Sequence, residues 1–432
     1  MGKDAEKLLN KAEQLYNAMA YKRAAKLFHS AGDTFLKLGE YELAEQSFFN
    51  AAKSAINEEK YLKGVEFLRY AGNAFLFNND FSEAYQIFKE ALNYIPTLKH
   101  NLDKNFLFTL FSSLSYLCLF LEGKQEEGLN IIKKNRKNIE DTYFKENYLI
   151  KLIKDIEVAT KDINEDYVKK IESEFDPTYL LEGEIILVKN ALVLAKSIVS
   201  LIISLSLDKK SYTTNDSINL KIDINTKPLV NMKKQSFYKY DLKELKITKI
   251  GLQLSDNFTL HKKPELPITI LAGQSHQLDI LIKPHFQMEK PFIGPLLLTS
   301  EIDGIFKFLY ESPDIFYPTL ISPPPTLDII LKNLRPPLIG QTFPIEILIE
   351  NKSEGEALDL NIEVEFPENL KVMRGTLKKQ IYSLRQNENI KWEISLKPLE
   401  AGDYSIKIKA LFKDPDQNQI GEIKDFPLSI KL

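Results

Sequence analysis

Between residues 21 and 94 one pattern of aromatic and small residues returns every 20 positions. Tyr21, Tyr41, Tyr61 and Phe81 open the copies, and Ala24, Ala44, Gly64 and Ala84 follow three residues on. Phe28, Phe48, Leu68 and Phe88 come four later, and Ala31, Ala51, Ala71 and Ala91 close the set. Offsets of 0, 3, 7 and 10 put these side chains on one face of an α-helix. Small residues at two of the four offsets let a neighbouring helix approach closely, and the rings fill the space between. Ala31-Gly32-Asp33-Thr34-Phe35 recurs 40 residues later as Ala71-Gly72-Asn73-Ala74-Phe75, so two 20-residue units make one helical hairpin. Stacked hairpins of this kind form a solenoid.

Proline and alanine divide the rest of the chain. Of 20 prolines only Pro96 precedes Pro177, while alanine after residue 200 is confined to Ala272, Ala357, Ala401 and Ala410. Proline is excluded from helix interiors and alanine favours them. The pattern predicts helices near 4–17, 20–31, 32–38, 41–56, 60–76 and 81–94, then 103–121, 124–138, 140–161 and 163–174, with a last helix over 179–196. From about 198 the period changes to two, with a first strand over Ile198–Leu207 and further strands at 217–224, 243–254, 266–271, 276–283, 294–300 and 304–311. Five prolines between Ser312 and Thr326 predict a stiff, extended linker. Eight short strands over 327–432 repeat the theme, with Trp392 as a core anchor. The expected domains are a helical solenoid over 1–196, a β-sandwich over 197–312, the proline-rich linker over 313–326 and a second sandwich over 327–432.

Composition narrows the function classes. The chain has 432 residues, 44% hydrophobic and 27% charged, with a net charge of −3, which suits a folded multidomain protein without a broad polyanion-binding field. Only six of the 57 basic residues are arginine, which disfavours bidentate phosphate or base recognition. Cys118 is the one cysteine, so no intramolecular disulfide or thiolate metal cluster forms. Met1-Gly2-Lys3-Asp4 leads into a polar amphipathic stretch, which predicts no secretory signal. The apolar run Phe106–Leu121 covers 16 residues and Ile185–Leu207 carries Lys189 and Lys196, so both are expected as buried structure rather than membrane spans.

The residues Tyr21, Ala24, Ala25, Phe28, Ala31, Gly32, Asp33, Phe35, Gly39, Tyr41, Ala44, Phe48 and Ala51 resemble tetratricopeptide-type (TPR) repeats, in particular the longer repeats of soluble NSF attachment proteins (SNAP). Gly340-Gln341-Thr342-Phe343, Pro367-Glu368-Asn369-Leu370-Lys371-Val372 and Gly402-Asp403-Tyr404 resemble adhesion-type and adaptor-appendage sandwiches. The fold class expected is multidomain, α then β. An N-terminal α-solenoid of TPR/SNAP-like helical hairpins is followed by two immunoglobulin (Ig)-like antiparallel β-sandwiches. This domain order is similar to TRAPP tethering-complex and vesicle-coat subunits, a resemblance that implies a scaffold in membrane traffic.

Reactive chemistry is sparse. The five histidines, His29, His100, His261, His276 and His285, lack the i, i+4 spacing of a helical metal site, and His29 is expected as an exposed helix residue. Asp414-Pro415-Asp416-Gln417-Asn418-Gln419 begins like a calcium loop but has Gln419 where the turn needs glycine. Glu182 and Glu184 are paired carboxylates two apart, which point apart on a helix. We expect no enzyme, no cofactor, no metal and no small-molecule or nucleic-acid ligand. The expectation is a non-catalytic scaffold or adaptor that binds protein partners as part of a larger complex. It would lie in the cytoplasm, with peripheral contact to an acidic membrane. The solenoid groove would hold a partner segment, read by Lys22, Arg23, Lys26, Glu42, Glu45 and Gln46. Lys233, Lys234, Phe237, Tyr238, Lys239 and Tyr240 interleave cations with rings and form a second candidate, a docking loop for a partner or membrane. The alternatives are a cell-surface adhesive protein and a ligand- or metal-binding enzyme in the first sandwich.

Overall fold

The computed structural model describes residues 2–99, 101–231, 242–286 and 288–431. Each 20-residue copy folds as one helix: α2 (Tyr21–Leu38), α3 (Tyr41–Asn57), α4 (Tyr61–Phe77) and α5 (Phe81–Tyr94), preceded by α1 (Gly2–Asn17). The opening aromatic is the first residue of each helix. Two residues before it the backbone turns left-handed every time, at Met19, Gly39, Glu59 and Asn79. Ala24, Phe28, Ala31, Ala44, Phe48, Ala51, Leu68 and Ala71 are buried between helices, as are Gly64, Phe81, Ala84, Phe88 and Ala91. Tyr21, Tyr41 and Tyr61 are half-buried at the helix starts. The break expected between residues 31 and 32 does not occur. Gly32 instead admits the Phe48 ring of α3 into the middle of a continuous α2, where a Cβ would lie 2.8 Å from that ring.

A single 3₁₀ turn (Ile95–Thr97) leads to α6 (Asn101–Leu121), α7 (Gln125–Arg136), α8 (Asp141–Glu146), α9 (Tyr148–Asp162), α10 (Glu165–Glu174) and α11 (Glu182–Ser200). The helix expected over 140–161 is split at Asn147, whose side chain accepts the N–H groups of Leu149 and Ile150 and so starts α9. At 21 residues α6 exceeds the apolar run counted from sequence. Its window Lys104–Leu121 is long and apolar enough to cross a membrane, but 89% of that window is buried inside the protein. It packs against α5, α7, α9 and α11, which explains why it is apolar nearly all round.

The α-to-β change comes later than expected: α11 runs to Ser200 and the first strand opens at Ile202. Strands β1 (Ile202–Leu207), β2 (Ser211–Thr213), β3 (Ile218–Asn225), β4 (Glu244–Leu254), β5 (Phe258–Lys262), β6 (Ile268–Leu271), β7 (Ser275–Pro284), β8 (Ile293–Ile302) and β9 (Phe306–Glu311) form the first sandwich, with a one-turn α12 (Lys227–Asn231) after β3. Its sheets run β1-β3-β7-β5 and β6-β4-β8-β9. The proline-rich stretch is extended but tied down, since β10 (Thr319–Ile321) pairs in parallel with β2. The second sandwich contains β11 (Leu327–Asn333), β12 (Phe343–Asn351), β13 (Ala357–Glu365), β14 (Leu370–Arg374), β15 (Lys378–Leu384), β16 (Asn389–Pro398), β17 (Gly402–Lys413) and β18 (Gln419–Ile430). Its sheets run β11-β12-β16-β14 and β15-β13-β17-β18.

Apart from β2, the strand order of the two sandwiches is the same. Each has its first, second, sixth and fourth strands in one sheet and its fifth, third, seventh and eighth in the other. This is the two-sheet immunoglobulin layout with one additional edge strand. Tyr404, at the start of β17, donates its hydroxyl to the Glu400 carbonyl four residues upstream at 3.1 Å, a tyrosine corner. Trp392 faces the same way as Ile394 and Leu396 but is only half-buried, and Lys379 Nζ sits 5.0 Å from its ring centre. It closes the rim of the core rather than anchoring its centre.

One hydrophobic core runs through the helices and into the first sandwich, while the second sandwich has its own. Phe81 of α5 stacks on Phe306 of β9, with ring centres 6.4 Å apart. Glu122, after α6, forms an isolated parallel bridge with Lys307 and an ion pair of 3.1 Å to its Nζ.

Candidate interaction site

In a stack of hairpins, alternate helices share a face, and a partner is expected on that face. Here the face made by α4 and α6 is covered by the chain's own α11, which packs against both. The contact is polar at its centre. Arg69 of α4 donates to both carboxylate oxygens of Glu184, at 2.7 and 2.6 Å, and to the Tyr179 carbonyl at 2.8 Å. Glu184 is fully buried, and its carboxylate also accepts the Leu181 N–H at 2.9 Å, capping α11. Burial opposes the Arg69 charge, yet the Glu184 carboxylate holds its guanidinium pKa above the ordinary value. The Asn73 carboxamide accepts the Gly183 N–H at 2.8 Å, and Asn190 donates to Asn79 at 3.0 Å. Removing one partner of such a buried pair strands a charge. The side of α4 and α6 that α11 packs against is therefore occupied by the chain itself, and Glu182-Gly183-Glu184 is part of what covers it.

The six polar positions nominated from sequence lie on two consecutive helices. Lys22, Arg23 and Lys26 are exposed on α2, and Glu42 and Gln46 are exposed on α3. Glu45 is half-buried. Its carboxyl is pushed up to about 7, first by burial and then by the carboxylates of Glu83, Asp80 and Glu42. His29 is not the exposed residue expected. It sits among the rings of Phe48, Phe67 and Tyr70, with centroids 5.6, 5.1 and 5.4 Å away, and its Nδ1 lies 3.3 Å from Asp33. The basic-aromatic candidate at Lys233, Lys234, Phe237, Tyr238, Lys239 and Tyr240 lies outside the described residues. Asp414–Asn418 is the hairpin turn between β17 and β18, closed by the Asn418 N–H on the Asp414 carboxylate at 2.8 Å, and Gln419 opens β18. Among the described residues, no three His, Cys, Asp or Glu side chains are grouped so as to hold a metal ion.

A site that sequence reasoning missed lies where the helices meet the first sandwich. A cleft of about 770 Å³ opens between the start of α7, the end of α9 and the stretch Phe308–Pro313 of β9 and beyond. Phe120, Leu129, Ile198 and Leu309 give it apolar surface. Glu126, Glu127, Glu157 and Glu311 contribute four carboxylates against the two cations of Lys124 and Lys161. Tyr85 of α5 donates its hydroxyl to Glu127 at 3.1 Å, fixing one of the acids in place. The cleft depends on how two domains dock, and no local pattern in the sequence carries that information.

No family model and no curated protein matches the chain. Among solved structures it is similar to the CARDB domain of a Pyrococcus furiosus protein, determined in complex with di-metal ions. The match has 17% identity and a TM-score of 0.20, over 25% of this chain and 90% of that chain.

Proposed function

We propose that the chain is a non-catalytic scaffold that holds other proteins in fixed relative positions. The carrying observation is the single core that runs from the repeat helices into the first sandwich, with a second sandwich set beside it on its own core. A shared core makes the α and first β domains one body. The work of such a body is to present surfaces at set distances. The finer reading, a tether- or coat-like subunit in membrane traffic, is supported by domain order alone. It predicts cytoplasmic protein that associates peripherally with membranes and is released by salt. Affinity enrichment from native lysate, followed by size-exclusion chromatography with light scattering, tests the scaffold reading. A stoichiometric protein complex is expected, and a chain that elutes alone across salt concentrations overturns it.

A further inference from the structure

β9 is an edge strand, and one hydrogen bond fixes which of its backbone groups the sheet already uses. The Ser312 N–H donates to the Leu296 carbonyl of β8 at 2.9 Å, and the two strands keep one register from Leu297 opposite Glu311 to Ile302 opposite Phe306. Hydrogen-bonded and non-bonded pairs alternate along an antiparallel ladder. Phe308 and Tyr310 therefore turn their N–H and C=O groups toward β8, and Lys307, Leu309 and Glu311 turn theirs away from the sheet. At Lys307 the outward side is met by Glu122 in an isolated parallel bridge, so this edge already accepts one residue of chain alongside it. Beyond that contact the edge opens on the acidic cleft, with Leu309 56% exposed.

We infer that this cleft takes one extended, basic segment of a partner protein, added as a further strand along the outward backbone of Leu309 and Glu311. The inference rests on the scaffold reading and gives it a site and a partner chemistry. Strand addition supplies main-chain hydrogen bonds, and alternate side chains of the added segment supply selectivity. One set would meet Phe120, Leu129 and Ile198, and the other would reach the carboxylates of Glu126, Glu157 and Glu311. Among the described residues none of these three acids is ion-paired with Lys or Arg. The charge excess selects a cationic segment. The enclosure selects a single one, because α7 and α9 stand across the cleft and exclude the sheet of a second copy of this chain.

The test titrates fluorescein-labelled decapeptides into the full chain, with lysine at alternate positions and valine, isoleucine or phenylalanine between them. Anisotropy reads affinity, and hydrogen exchange reads Leu309 and Glu311. Saturable one-to-one binding is expected, with exchange at those two amides slowed by at least about tenfold. N-methylation of one alternate set of peptide residues, the set whose N–H groups face β9, but not of the other, or Leu309→Pro in the protein, is expected to weaken binding by about tenfold. Proline there removes a donor that the sheet does not use, and the N-methylated probes repeat the test on unaltered protein. Failure of every probe to bind, indifference to N-methylation, or protection confined to other segments overturns the inference. If no probe binds while a stoichiometric partner still co-elutes with both the chain and Leu309→Pro, the cleft inference falls and the scaffold reading stands. If no partner co-elutes either, both fall.

Discussion

Glu45 sits half-buried on α3 beside Glu42, with Asp80 and Glu83 facing it from the start of α5, and its carboxyl titrates near 7 instead of 4.5. A carboxyl whose pKa is raised on folding stabilises least where it must ionise. Below pH 4.5 it is protonated in both states and costs nothing. Stability is lost as pH rises from 4.5 to about 7 and the unfolded chain ionises first, and the loss stays constant above that. Solvent screening at this half-exposed site reduces the effect, so Glu45→Gln is expected to stabilise the chain by about 1 kcal/mol at pH 8 and not at pH 4. Paired urea titrations at the two pH values check the sign. A second residue-scale case is Gly72, where an added Cβ would lie within 3 Å of three Phe88 ring carbons, on a ring that is fully buried. Gly72→Ala is expected to cost about 1–3 kcal/mol despite alanine's better helix propensity, readable as a lower denaturation midpoint. The AG dipeptide shared by residues 31–32 and 71–72 was visible in the sequence as a repeat. Its reason, a ring seated on the glycine, is a contact between helices and had to come from the fold.

The helices and strands themselves were largely legible. The eight short strands expected over 327–432 are the strands observed in the second sandwich, because most of them alternate buried and exposed residues and are bounded by turn-formers. Short elements escaped: β2 and β5 are too brief to establish a period. The role of α11 escaped for a different reason. Its sequence reads as a buried helix, and it is one, but which face it covers is decided by residues more than a hundred positions away. Glu184, a carboxylate at the start of a mostly buried helix, was the available signal, since a buried charge requires a partner. Arg69→Ala leaves that carboxylate unpaired and is expected to cost about 3–5 kcal/mol. Equilibrium unfolding of the variant checks this, and a loss below 1 kcal/mol would mean that α11 is held by its apolar face alone.

At the scale of the whole molecule the cores set the cooperative units. The repeat helices and first sandwich are expected to melt together, and the second sandwich in a separate transition. Phe306→Ala removes a buried ring from the contact between helices and sheet. It is expected to lower only the first calorimetric transition, by about 3–5 kcal/mol in stability, and an equal fall in both would show the cores to be coupled. None of this docking was readable from composition or periodicity. Those report on what each segment does by itself, whereas the cleft beside β9 exists only because two segments meet. The parallel pairing of β10 with β2 has a mechanical meaning. Tension arriving through the second sandwich loads those hydrogen bonds together along the strand axis, in shear, where a hairpin pulled from its open end would yield one bond at a time. The joint passes the pull to β2, across the shared core and into α11 and the repeats. A molecule strung between two partners would bear that load along its length without being unzipped from its end.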